Sequence, residues 1–165
     1  MELIIISGRS GSGKSTAIRA LEDAGYNCID NLPIDLLEAL VEDQTTETRE
    51  DTKLAVCIDA RSRSLDKFPE ILKKIDLIPI EKQIIYLNAL SPTLVKRFSE
   101  TRRKHPLTAP NIDLRQAIDI EAKMLASVAD LASLTIDTTN LSGKQLSEIV
   151  KDRILRREAS SILSL

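Results

Sequence analysis

The sequence predicts an α/β fold, a five-stranded parallel sheet with helices on both faces in three layers. Three observations carry that prediction. Short apolar runs of strand length recur along the 165 residues, and segments with helical spacing of their apolar positions separate them. The first run passes through a turn, Gly8-Arg9-Ser10-Gly11-Ser12-Gly13-Lys14-Ser15, directly into a helical pattern. Strands separated by helices need crossover connections, and these give parallel pairing with helices on both faces.

The first strand is expected at residues 3–7, where Leu3-Ile4-Ile5-Ile6 is apolar without alternation. Such a strand is buried on both faces. The first helix spans 14–24, with Gly25 as a left-handed stop. A second strand at 26–30 leads through Asn31-Leu32-Pro33 into a helix at 34–42, started by the proline. Residues 44–52 are polar, charged and aperiodic, so they read as a surface loop. A third strand at 54–59 precedes a helix from about 64 to 75, whose first half Pro69 interrupts.

The fourth strand is 83–88. Ser91 as cap and Pro92 at the first helical position open a helix to 104, ended by His105-Pro106. A loop at 107–113 and one long helix at 114–129 follow, then a fifth strand at 134–137. A last helix, capped by Ser142, runs over 144–157. Residues 1–157 thus form one domain. The apolar, uncapped stretch 158–165 reads as a truncated linker toward a C-terminal domain outside this chain; the alternative is a frayed terminus.

Composition narrows the function. The chain is 42% apolar and 29% charged, ordinary for a globular domain, and its net charge of −2 argues against a polyanion binder as a whole. Two Tyr, two Phe and no Trp leave no aromatic platform for stacking nucleic-acid bases. Cys28 and Cys57 lie in apolar runs without ligand spacing and read as free thiols in a reducing cytosol. No segment has the pattern of a signal peptide or the length of a membrane span, so a cytoplasmic protein is expected.

The turn after the first strand fulfils G-x-x-x-x-G-K-[ST], the phosphate loop of nucleotide-binding proteins. At average residue frequencies the motif arises by chance in roughly one such chain in a hundred. The strand before it and the helix after it lower that further. Backbone N–H groups of Gly8 through Thr16 would cradle phosphates at the helix N-terminus, with Lys14 on the β- and γ-phosphates and the Ser15 hydroxyl on Mg²⁺. The fold is then a three-layer P-loop NTPase, nucleoside- or adenylate-kinase-like.

Other candidates sit at strand ends. Asp59 ends the third strand and is the best second Mg²⁺ residue; the alternative is a strand-end cap on the following turn. Arg61 and Arg63 follow it, as crevice cations or as solvated loop residues. Asp30 ends the second strand and could orient a water or an acceptor, or simply shape an Asp-Asn-x-Pro turn. Arg97, Arg102, Arg103 and Lys104 resemble a kinase lid closing on transferred phosphate, or else are cations favoured at a helix C-terminus. His105 is given no catalytic role. Asn88 stands where many phosphate-loop enzymes carry an acid, and Asp137 where the nucleobase pocket often forms.

The phosphate loop combines with Ala20-Leu21-Glu22-Asp23, Asp30-Asn31-Leu32-Pro33, Ile58-Asp59-Ala60-Arg61-Ser62 and Thr101-Arg102-Arg103-Lys104-His105-Pro106-Leu107. Together these segments resemble the RapZ/YvcJ family of nucleotide-binding RNase adapter proteins, over residues 1 to about 157. The resemblance implies a kinase-like amino-terminal domain that binds and hydrolyses ATP and GTP. It implies that Gly8–Ser15 is the ATP site and that Asp59, Ala60, Arg61 and Ser62 form a GTP-binding segment. It also implies RNA and an RNase as partners of the full-length protein, acting largely through a separate carboxy-terminal domain. The sequence leaves a homo-oligomer open. The reading is a regulatory domain that slowly hydrolyses nucleotide through Lys14, Asp30, Arg102 and Arg103; the alternative is a small-molecule kinase.

Overall fold

A computed structural model describes residues 1–46, 52–101 and 103–163, those from 158 onward by backbone alone. Arg102 and most of the expected 44–52 loop lie outside the described residues. The sheet has five strands, β1 (Glu2–Gly8), β2 (Asn27–Ile29), β3 (Lys53–Ile58), β4 (Glu81–Asn88) and β5 (Leu134–Asp137). All pairs are parallel, in the order β2-β3-β1-β4-β5. The most continuously apolar strand, β1, lies at the centre, because only a strand paired on both edges and covered on both faces can bury Leu3 through Ile6.

Alternation along β1 divides the core. Leu3 and Ile5 join Phe68, Leu72, Ile75 and Leu125 on one face. That face is covered by α2 (Leu37–Thr46), α3 (Phe68–Asp76) and α6 (Ala126–Asp130). Ile4 and Ile6 join Ala17, Leu21, Leu146 and Val150 on the other. That face is covered by α1 (Lys14–Asp23) and α7 (Gly143–Leu163). A third, small cluster of Ala89, Leu94, Phe98 and Ile118 ties α4 (Ser91–Thr101) to α5 (Leu114–Met124), beside the C-terminal edge of the sheet.

The differences from expectation are local. The single helix expected at 114–129 is two, broken at Leu125 (φ −92°, ψ 1°), which is fully buried. Periodicity does not distinguish one helix from two that present apolar faces to the same core. α2 and α3 each begin with a short 3₁₀ turn, Ile34–Leu36 and Leu65–Lys67, with Pro69 at the start of α3. α2 continues to Thr46, into the stretch expected as loop, and α4 ends at Thr101, before the expected 104. α7 runs to Leu163, so residues 158–163, expected as linker, continue the helix. Ser142 caps α7 as expected: Gln145 N donates to its Oγ (3.1 Å) and Ser142 N to Gln145 Oε1 (2.9 Å). Ser91 at the head of α4 has another use, described below.

Candidate nucleotide site

At the C-terminal edge of the sheet, β1 turns through residues 8–15 into α1. Glycine is required there at two positions, by space at Gly8 and by the left-handed backbone at Gly13. A Cβ on Gly8 would lie 2.4 Å from the Leu87 carbonyl oxygen of neighbouring β4. One on Gly13 (φ +111°) would lie 2.5 Å from Leu146 Cδ2 of α7. The loop therefore presses its backbone against two neighbouring elements.

Its outward-facing polar groups are pinned from every side. Arg9 is buried, and its guanidinium donates to the Ala89 carbonyl (3.1 Å) and to Ser91 Oγ (2.8 Å). Ser10 donates through its backbone N to Glu121 Oε1 (2.6 Å) and through Oγ to Oε2 (2.5 Å). Arg97 of α4 donates to the Gly11 carbonyl (2.9 Å) and to the Thr138 carbonyl (2.5 Å). Thr138, just after β5, donates to the Ser12 carbonyl (2.7 Å). Lys14 Nζ donates to the Gly8 carbonyl (2.7 Å). Carbonyls are thus drawn outward to cationic and hydroxyl donors.

The opposite polarity faces the mouth. Gly13 is left-handed at the N-cap of α1 and supplies no side-chain cap. The N–H groups of the first helical turn, from Lys14 on, have no intrahelical acceptor. No acidic side chain stands in that turn, and Ser15 is exposed. A ten-residue helix with a bare positive end beneath a preset loop is an anion site. The buried hydroxyls of Ser7 and Ser12 have no partner among the described residues, so the loop retains unused hydrogen-bonding capacity.

The facing wall is the turn after β3. Asp59 is buried, and its carboxylate is already engaged. Arg61 donates to it through backbone N (2.8 Å to Oδ1), Nε (3.1 Å to Oδ1) and Nη2 (2.7 Å to Oδ2). Burial alone would raise this carboxyl. The Arg61 hydrogen bonds and charge, with Lys14, outweigh burial and hold it below the usual carboxylate range. Asp59 is therefore a turn cap and an ion-pair partner as it stands. A role on Mg²⁺ requires Arg61 to share it.

The other expected site residues fall as follows. Ala60 is buried, and Ser62 is buried with its Oγ accepting from Ile34 N (3.3 Å), which holds the 3₁₀ turn before α2. Asp30, Arg61, Arg63 and Arg103 are exposed. Burial pushes the Cys57 thiol near the end of β3 up to about 12, with Lys14 lowering it and Asp30 and Asp59 raising it. Asp137 is exposed, and its hydrogen bonds from Thr139 hold its carboxyl below the usual range. Among the described residues no cluster of three or more His, Cys, Asp or Glu side chains could hold a metal ion. The residues present fit a Mg²⁺ bound jointly with phosphates: the exposed Ser15 hydroxyl and the ionised Asp59 are hard oxygen donors.

Sequence reasoning missed Glu121 and Thr138, and gave Arg97 and His105 no structural work. One signal was present. Ala117, Glu121 and Leu125 recur at helical spacing, which places a carboxylate on the apolar face.

A five-stranded parallel sheet with this loop after its central strand defines a P-loop protein of the kinase-like class. Solved structures agree in fold. Shikimate kinase from Acinetobacter baumannii is similar with a TM-score of 0.58 at 19% identity, covering 94% of this chain and 93% of that one. A gluconokinase from Sinorhizobium meliloti is similar with a TM-score of 0.62 at 16% identity, covering 99% and 97%. At the level of sequence, the RapZ-like N-terminal domain matches residues 1–158, and the chain belongs to that family. A nucleotide-binding protein of Pseudomonas putida is 51% identical over 160 residues, 95% of this chain and 56% of that protein. One of Hahella chejuensis is 48% identical over 168 residues, 100% of this chain and 59% of that protein. The chain thus spans somewhat over half the length of these relatives. Among the described residues no helix is long and apolar enough to cross a membrane.

Proposed function

We propose that this domain binds ATP and GTP with Mg²⁺ and hydrolyses them slowly, as the regulatory unit of a longer cytoplasmic protein. The observation that carries the reading is the bare N-terminus of α1 beneath a loop whose Gly8, Gly11 and Ser12 carbonyls are each engaged by a side-chain donor. Relatives carrying the name nucleotide-binding protein support it. Lys14 would leave the Gly8 carbonyl for the β- and γ-phosphates. Ser15 and Asp59 would hold Mg²⁺, which when bound neutralises triphosphate charge. Asp30 would orient the attacking water, with Arg102 and Arg103 closing on the transferred phosphoryl group. The exposure of Asp30 and Arg103, which leaves water around the reacting centre, supports slow turnover. The Asp59–Ser62 segment is the candidate determinant of GTP binding. RNA and an RNase would be engaged through the rest of the longer protein.

A cavity of about 850 Å³ favours the second reading, a small-molecule kinase. It is lined by Arg61, Arg63, Ser64, Lys123 and Ser127, beside the facing wall. One titration tests the first reading. Lys14→Ala should leave the fold intact and weaken ATP binding by about a hundredfold, as loss of a charged hydrogen-bond donor to phosphate requires. Unchanged ATP affinity overturns the proposal. ADP release that rises only when an acceptor metabolite is added, with the phosphorylated product found by mass spectrometry, decides for the kinase.

A further inference from the structure

We infer that Glu121 is a positioning residue for the phosphate loop: a built-in anion that, oriented by His105, sets the third loop residue before nucleotide arrives. The inference rests on the nucleotide-site reading above and adds the device that prepares the site.

Glu121 lies on α5, 111 residues from Ser10 in sequence, and its side chain is completely buried. A buried carboxylate is costly unless every oxygen is engaged. Here Oε1 accepts from Ser10 N (2.6 Å) and His105 Nε2 (3.1 Å), and Oε2 accepts from Ser10 Oγ (2.5 Å). Three donors thus converge on one group. They come from two segments that the chain itself does not join, the loop and the turn after α4.

The hydrogen bonds fix the His105 tautomer. Leu107 N donates to Nδ1 (3.1 Å), so Nδ1 accepts and the ring proton sits on Nε2, aimed at Glu121. The ring is itself buried and lies against Phe98, with centroids 5.2 Å apart. Phe98 belongs to the small α4–α5 cluster. The packing of that cluster therefore holds His105, His105 holds Glu121, and Glu121 holds both polar groups of Ser10. With three donors on its two oxygens, the carboxylate serves to fix the loop and does not stand as a bare charge opposing phosphate. The gain is preorganisation: a loop already fixed loses less conformational freedom when a triphosphate binds.

Three variants test this, with ATP in Mg²⁺ buffer as the probe and calorimetric titration as the readout. Glu121→Gln keeps the volume and one acceptor, but its amide NH₂ meets a donor that the carboxylate accepted. It should fold, as circular dichroism shows, and bind ATP about tenfold more weakly. The histidine variants separate positioning from packing. His105→Gln can place a donor where Nε2–H stood and should bind ATP within about twofold of the parent. His105→Met fills a similar volume of the buried site but has no donor for Glu121, and should weaken ATP about threefold. A role limited to packing would give these two size-matched variants the same affinity. Equal affinities overturn the inference, as does folded Glu121→Gln with parental affinity. If Glu121→Gln does not fold, the histidine pair decides alone. Failure of the parent to bind ATP overturns the nucleotide reading instead. The inference then stands or falls on hydrogen exchange at the Ser10 amide without nucleotide, which should be faster in His105→Met than in His105→Gln.

Discussion

The two walls of the crevice are built in opposite ways. The loop wall, residues 8–15, is held by three distant side chains, Arg97, Glu121 and Thr138, and by the Ala89 carbonyl just after β4. Arg9, Glu121 and Thr138, which do much of this work, are buried. The facing wall, residues 59–63, has one such tie, from Ile34 N to Ser62 Oγ; its carboxylate is held locally, as Asp59 pairs with Arg61 two residues on, and half of the Arg61 side chain is exposed. The difference separates two jobs. A wall fixed by long-range buried contacts keeps its shape without ligand. A wall whose carboxylate is held by a local ion pair can exchange that pair for another at little cost, because an exposed partner gains little from it. The proposed phosphate cradle falls on the first wall, and the candidate segment for nucleotide selectivity on the second.

The largest effect should come from the rigid wall. Gly8→Ala places a methyl group 2.4 Å from the Leu87 carbonyl oxygen, against backbone at the centre of the sheet. Neither strand can retreat without losing ladder hydrogen bonds. The variant should lose about 3 kcal/mol, a drop in Tm of roughly 10 °C by differential scanning fluorimetry. A drop below about 2 °C would mean that the loop wall yields as readily as the facing one, and the contrast would fail.

The facing wall should show its character as a pH dependence of modest size. Asp59 ionises more readily in the folded protein than in the unfolded chain, because Arg61 and Lys14 outweigh its burial. The unfolded chain therefore binds the proton first as pH falls. The contribution of Asp59 is complete above the ordinary carboxylate pKa, about 4, and is lost as pH falls through the lower folded value. Asp59→Asn should cost about 1 kcal/mol at pH 7, and the gap to the parent should close as denaturation is repeated toward pH 2. A gap that stays constant with pH would assign the loss to turn geometry, with the ion pair contributing nothing.

The same contrast explains what the sequence made legible. The loop wall announces itself through Gly8, Gly13, Lys14 and Ser15, because phosphate binding dictates residue types over eight consecutive positions. The strands were legible because burial on both faces dictates unbroken apolar runs such as Leu3–Ile6. The supports of the loop were not. Glu121 and Thr138 are single polar residues whose partners lie 111 and 126 residues away, and no local rule reports such a pairing. Arg97 was read as a lid cation or a helix C-terminal charge, yet its guanidinium is committed to the carbonyls of Gly11 and Thr138. Sequence shows a charge without showing what it faces. The break at Leu125 was hidden for the same reason, since both helices meet one core.

The smallest effect expected is an absence of reaction. Cys57 ends just below the point where the two walls meet, and its thiol feels charges from both. Burial raises its pKa most. Lys14 of the loop wall lowers it, and Asp30 and Asp59 opposite raise it again, so the value is pushed up to about 12. Burial with the Glu22 charge takes Cys28 to about 11. The thiolate is the reactive form, so at pH 8 iodoacetamide should leave both cysteines unmodified over an hour in the folded protein and label both in denaturant, as intact mass shows. Lys14→Ala should not change this, because it removes a neighbouring charge that favours the Cys57 thiolate. Labelling of Cys57 in the folded parent would show that the crevice floor opens without ligand. A floor that opens there would loosen β3 beneath the facing wall while β1 stays pinned, and the boundary between the rigid and the exchangeable wall would then fall between those two strands.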